Sequence, residues 1–479
     1  MDFRSGHFGS CFGCAATAAL LVFASGVCAD GLDGFWRSDG YGFVFEIAGD
    51  KLHTYQVTKI SAMPSGSAHR LKEVPPGIEA VFQLELEPFK ISVTAGSTAD
   101  SRYLGGQGAA SRMVLRKLVS RPDVLDKKPA NTPEANFDVF WQTFAEQYPF
   151  FALHGVDWNA IRAKYRDKIT DNTKPEELFA VFKEMIKPLH DAHIFLQARD
   201  IKKSYQRLRP NPHPLENRGR VTEIIKSRLH GPMDAGCNGK IKFGMLTDKI
   251  GYIRIMGFAG YSTKPDFDDW IKALHTTLDQ ALAGSDRWQG LVVDVRVNGG
   301  GSDVLGVEVA SRLATKDYLA FTKRARSDPE DPAQFTPPQE TRVHMGKEPR
   351  FGGKVVLLTG PDSVSAAETF TMALMGRTPA VTRIGENTQG VFSDVLDRTL
   401  PNGWRFGLPN EIFLTETGKT FDMVGVPPDI AVPVFPPEDL SKGRDGCLEK
   451  ALESLVGNPA RADEPPSIIG ILKRNYRPR

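Results

Sequence analysis

The apolar residues change their spacing twice along this chain, and that bounds the fold more tightly than any single motif. In residues 30–120, aromatic and β-branched residues sit in short runs, 41–47 (YGFVFEI), 52–57, 80–86 and 90–94, separated by turn clusters such as Ala48-Gly49-Asp50. That pattern predicts a small all-β unit, a barrel or a sandwich. From Pro133 the period becomes helical. Phe137, Phe140, Trp141, Phe144 and Tyr148 fall on one face, and this stripe reads as core. Residues 157–168 and 175–186 continue the helices, with Pro175 suited to a first turn. From Ile241, strands at 250–256, 291–295 and 354–359 alternate with helical segments at 266–282, 306–313 and 366–375. Such alternation predicts a mixed α/β sheet. The expected architecture is a multidomain α+β chain: a β-domain over 30–125, a helical subdomain over 133–200, an α/β core over 240–456 and a loose tail over 459–479. The basic, proline-bearing stretch 201–239 reads as a linker or surface segment.

Residues 1–29 read as a signal peptide. Arg4 supplies a positive start, residues 15–24 (AATAALLVFA) an apolar run, and Val27-Cys28-Ala29 small residues before a cut after Ala29. The run is shorter than the about 20 residues that a membrane span needs. The expectation is a periplasmic or secreted protein with no integral membrane segment. Cys11, Cys14 and Cys28 leave with the signal, so Cys237 and Cys447 remain as one disulfide or two thiols. With 60 Lys plus Arg against 58 Asp plus Glu, the net charge is +2. That balance disfavours nucleic acid as a partner.

Four segments could carry chemistry. Ser365 follows an apolar strand and a Gly-Pro-Asp loop and opens a helix, where free N–H groups can stabilise an oxyanion, or where a serine can simply cap. In residues 291–301 (LVVDVRVNGGG), a strand runs through Asp294, Arg296 and Asn298 into three glycines that let backbone approach a ligand. No nucleotide-binding glycine pattern accompanies them. In Leu189-His190-Asp191-Ala192-His193, a neutral imidazole is chemically sufficient as a general base; a metal site would need further ligands, and none is evident. Asp422 stands just before the Gly-Val-Pro-Pro-Asp turn and could orient a histidine.

Taken in order, these segments resemble the tricorn-type and C-terminal processing serine peptidases. Asp294-Val-Arg296-Val-Asn298-Gly-Gly300-Gly301 resembles that family's Asp-x-Arg-x-Asn-x-Gly-Gly turn, and Ser363-Val-Ser365-Ala-Ala-Glu368 its nucleophile segment. Gly385-Glu-Asn-Thr388-Gln-Gly390 and Gly425-Val-Pro-Pro-Asp429-Ile look like its later motifs, and Gly251-Tyr252-Ile-Arg-Ile with Phe258 like its opening core strand. The resemblance runs from about Phe137 to about Val456 and implies a crotonase/ClpP-like peptidase core. Where the Ser/Lys branch has its lysine base, this chain has Val391, which cannot accept a proton. The histidine branch is therefore implied, with His193 as base and Asp422 where the family usually has Glu. Only about 50 residues separate His193 from the core strand, too few for a PDZ module.

What the resemblance implies is an exported serine peptidase acting on a peptide or protein through a Ser365–His193–Asp422 triad and an acyl-enzyme. The N–H of Ala366 and that of Gly300 or Gly301 would form the oxyanion hole. Neither metal nor organic cofactor is required by that chemistry. Glu368 is expected to be structural in its helix, and Arg296 to hold the glycine turn through a carboxylate. The alternatives are an apolar-ligand-binding protein on the same scaffold, and an esterase or amidase with the same triad. The oligomeric state is left open.

Overall fold

A computed structural model describes residues 31–86, 89–206 and 218–456. The signal peptide and the C-terminal tail expected from the sequence lie outside the described residues. Of the two β architectures expected, the chain adopts the barrel. Eight antiparallel strands from Gly34–Ser38 to Arg112–Lys117 follow in chain order, and the last closes on the first, Trp36 opposite Lys117. Residues two apart share a strand face, so Phe45 with Ile47 and Ala80 with Phe82 point into one interior around Trp36 and Leu115. The Trp36 indole N–H donates to the Leu32 carbonyl at 2.7 Å, which satisfies the one polar group of that fully buried ring.

The helix Pro133–Gln147 starts at Thr132, whose side chain accepts from the Ala135 N–H, with proline in the first turn. Its aromatic stripe is core, as expected: Phe137, Phe140, Phe144 and Tyr148 are fully buried. Phe140 stacks on Phe182 of the helix Pro175–Ile186 with ring centroids 4.3 Å apart. Phe140 and Phe144 also pack on Phe406, from a strand more than 250 residues away in sequence. The helical region thus shares its core with late strands. A four-stranded sheet continues that union, in the order Lys203–Gln206, Phe195–Ala198, Arg405–Pro409, Val395–Thr399.

The α/β core is a seven-stranded sheet in which Ile250–Ile255, Gly290–Asp294, Lys354–Thr359, Thr382–Gly385 and Ile430–Ala431 run parallel. The central strands are buried along their whole length, which explains their unbroken apolar runs. The helix Phe267–Ala281 starts at Asp266, and Ala366–Met375 coincides with the expected segment. Of the two readings of 201–239, a linker or a surface segment over the core, the described residues agree with the second. The stretch holds the strand Lys203–Gln206, the helix Arg218–Arg228 and the strand Asp234–Gly236. Val221 and Ile225, four apart on that helix, are buried against Tyr252 and Val356; the basic residues around them masked the apolar face. Cys237 and Cys447 are free, buried thiols in separate clusters, which settles the alternative left open above.

Candidate active site

Two parallel strands end side by side and their continuations pair again. Beyond Gly290–Asp294 and Lys354–Thr359, Val297 lies opposite Asp362 and Asn298 opposite Ser363. This second pairing brings the glycine turn against Ser365 at the carboxyl ends of the parallel strands, where open α/β sheets place their sites. Ser365 opens the helix Ala366–Met375 with φ 56° and ψ −118°, a conformation that non-glycine residues rarely adopt and that costs on the order of 1–3 kcal/mol. The Ser365 side chain and Glu368 stand in a capping-box arrangement, but the hydroxyl makes no cap hydrogen bond. The helix start is closed instead by Glu368, whose carboxylate accepts the Ser365 N–H at 3.1 Å.

Glu368 does more than stabilise its own helix. Its fully buried carboxylate also accepts from the Thr388 hydroxyl at 2.6 Å, the Gly390 N–H at 2.6 Å and the Val391 N–H at 2.9 Å. Burial pushes its pKa up to about 7 against these four donors. The carboxylate therefore ties the nucleophile turn to the loop after Thr388.

Arg296 behaves as expected. Its guanidinium is fully buried and bridges Asp294 to Asp445, with N–H···O distances of 2.7–3.0 Å. Asn298 carries on from it, donating to the Ile255 carbonyl and accepting the Gly300 N–H at 2.9 Å. That bond bears on the choice between Gly300 and Gly301, because the Gly300 N–H already has an acceptor. The Gly301 N–H makes no hydrogen bond among the described residues, and the Ala366 N–H, first in its helix, has no intrahelical acceptor. Ala366 and Gly301 are thus the two sequence-derived donors left open. Gly300 remains essential as a spacer. With φ 90°, a Cβ there would lie 2.7 Å from Ser365 Cβ and 2.8 Å from the Val364 carbonyl. Gly300→Ala is expected to push the nucleophile aside and lower kcat/KM on a cleaved peptide by about 100-fold or more. Circular dichroism should show the fold unchanged.

His193 lies between the last helical turn and the strand Phe195–Ala198. The Asp191 carboxylate fixes its backbone, accepting the His193 N–H at 2.9 Å and the Tyr148 hydroxyl at 3.0 Å. Burial pulls the imidazole pKa down to about 4, opposed by the charge of Asp394 and by the backbone of Ser393. Asp422 is buried but shares no hydrogen bond or ion pair with His193. Its oxygens accept from the Thr420 hydroxyl at 2.8 Å and the Phe392 N–H at 3.4 Å. Burial, with Asp191 and Glu368 nearby, raises its pKa well above the usual carboxylate range. Ser365 and His193 share no hydrogen bond either.

One continuous stretch nevertheless links all three. Thr388, Gly390 and Val391 bind Glu368 beside the nucleophile, Phe392 binds Asp422, and Ser393 with Asp394 faces His193. Sheet register explains the last contact. Phe195 pairs Gly407, which pairs Asp397, so the residues just before the strands Phe195–Ala198 and Val395–Thr399, which flank Arg405–Pro409, lie at one end of the sheet. Asp394 was missed in the sequence because it belongs to no motif; its only signal was a carboxylate inside the apolar run 391–396.

Residues 249–432 match the model of peptidase family S41, and residues 129–187 match the tricorn protease C1 domain. The core is thus similar to peptidase family S41, and the helical region to the tricorn C1 domain. That similarity supports serine-type peptidase activity. Among solved structures, a candidate peptidase from Parabacteroides merdae is 26% identical, with a TM-score of 0.60 over 70% of this chain and 100% of that one. The photosystem II D1 C-terminal processing protease is 14% identical over 64% of this chain and 95% of its own, TM-score 0.40. The tricorn protease is 14% identical over 86% of this chain and 45% of its own, TM-score 0.42. No curated protein matches. Among the described residues, no helix is long and apolar enough to cross a membrane.

Proposed function

We propose that this protein is an exported serine peptidase that hydrolyses peptide bonds through an acyl-enzyme formed on Ser365. The observation that carries this reading is Ser365 itself: a strained serine at a helix start, its hydroxyl unspent, facing a glycine turn. The Ser365 hydroxyl attacks the scissile carbonyl as His193 takes its proton, and the Ala366 and Gly301 N–H groups receive the oxyanion. His193 then protonates the leaving amine, and water attacks the acyl-enzyme by the reverse sequence. Catalytic hydrogen bonds are often long in an unliganded site and tighten on the substrate. Asp422 acts on His193 indirectly in this scheme, by fixing Phe392 within the stretch that carries Ser393 to the imidazole. Export rests on residues 1–29, and the matured chain is expected to begin at Asp30.

A fluorophosphonate probe tests the assignment. Wild type is expected to label and Ser365→Ala not to label; equal labelling of both removes Ser365 as nucleophile. The pH profile gives a second check. The base works as neutral imidazole, and protonation on acidification abolishes it. With the pKa lowered to about 4, kcat/KM should hold down to about pH 5 and fall only below it.

A further inference from the structure

A cavity of about 480 Å³ opens between the barrel and the strand Val395–Thr399. Its barrel wall is apolar, built by Phe43, Leu104 and Met113 among others, and Leu396 closes the opposite side. That volume lies within the range of small-ligand sites, and barrel mouths are common places for them. The unusual feature is its charge. Asp394, Asp397 and Glu411 all line the cavity, and no lysine or arginine does so among the described residues.

These acids are not equivalent. Asp397 is paired with Arg405 at the outside. Glu411 is buried and takes the Tyr41 hydroxyl at 2.7 Å, the Asp394 N–H at 3.2 Å and the Lys323 ammonium. Asp394 accepts Lys323 Nζ at 2.7 Å, yet its side chain is 55% exposed. The ammonium is 2% exposed and sits behind the two carboxylates, out of the cavity. One cation thus serves two acids, and a third, Asp303, lies close enough to feel the same charges. Burial pushes Glu411 up, and the Lys323 charge holds Asp394 down. The cluster can therefore accommodate a further positive charge, presented from the cavity side.

The cavity adjoins the candidate site through Asp394. Asp394 directly follows Ser393, whose backbone meets the His193 imidazole. On the other side, the hairpin turn of the barrel reaches the glycine turn, where the Ser302 hydroxyl donates to the Gly108 carbonyl at 2.7 Å. The barrel is thereby seated against both halves of the site. We propose that this cavity is a substrate subsite for a lysine or arginine next to the scissile bond, its methylenes on the barrel wall and its cation at Asp394. The inference rests on the peptidase reading for its substrate class, and it assigns the barrel a part in recognition.

The test separates the two. In the full-length Ser365→Ala protein, binding of matched peptides carrying lysine, norleucine or glutamate at one position is measured by calorimetry. The lysine peptide is expected to bind at least 10-fold tighter than the norleucine peptide and the glutamate peptide weakest. Adding Asp394→Asn should shrink the lysine preference to about 2-fold, while Met113→Trp, which fills the cavity from the barrel, should weaken lysine and norleucine peptides alike. A lysine-to-norleucine ratio near one, or a preference that survives Asp394→Asn, overturns the subsite. Fluorophosphonate labelling of the otherwise wild-type protein reports separately on Ser365, so loss of one reading is distinguishable from loss of the other.

Discussion

Replacing Ser365 by alanine is expected to lower kcat on a cleaved peptide by about 10⁶-fold, the scale seen when a serine hydrolase loses its nucleophile. The fold should survive. The hydrogen bond that Glu368 makes at this position comes from the backbone N–H, not from the hydroxyl, so alanine keeps it. Alanine also carries the same Cβ, so the unusual φ of 56° is neither relieved nor worsened. His193→Ala should cost nearly as much, and the double variant little more, because the two groups act as one unit. A residual activity reduced only tenfold would mean that chemistry runs elsewhere.

Arg296→Leu is expected to destabilise the core by about 3–5 kcal/mol, the usual cost of stripping one partner from a buried ion pair. Two carboxylates, Asp294 and Asp445, would be left without their shared cation inside the protein. Asp294 shows the strength of the coupling. Burial alone would raise its pKa, but Arg296 outweighs that and brings it down to about 2. A depressed carboxylate stabilises the fold above its ordinary pKa near 4 and loses that contribution as pH falls through 2. Arg296→Lys should rescue little, since an ammonium cannot present the planar fork that spans both acids and lies over the Phe435 ring at 4.2 Å. Urea unfolding at pH 7 followed by far-ultraviolet circular dichroism measures both variants. Loss of less than 1 kcal/mol would show that the turn does not depend on this bridge.

Much of the architecture was legible because local patterns and buried contacts agreed. The aromatic stripe from Phe137 to Tyr148 is one helix face, and the unbroken run at 354–359 is a strand buried on both sides. The nucleophile turn was readable for a similar reason: strand, short loop and helix follow one another, and the helix start supplies the N–H groups. The elements within the stretch 201–239 were not, because its charges dominate the composition while Val221 and Ile225 decide where its helix packs.

The site divides along the same line. The sequence by itself determined the groups whose role depends on near neighbours: Ser365 and Ala366 at a helix start, and Arg296 beside Asp294. Only the tertiary structure decided which carboxylates meet which partners. Asp422 meets the Phe392 N–H, Asp445 meets Arg296, and Asp394 comes to His193 across two strand pairings. Hydrogen bonds and charge act over a few ångströms, and sheet register sets those distances between residues about 200 apart in the chain. No spacing along a single sequence encodes that register.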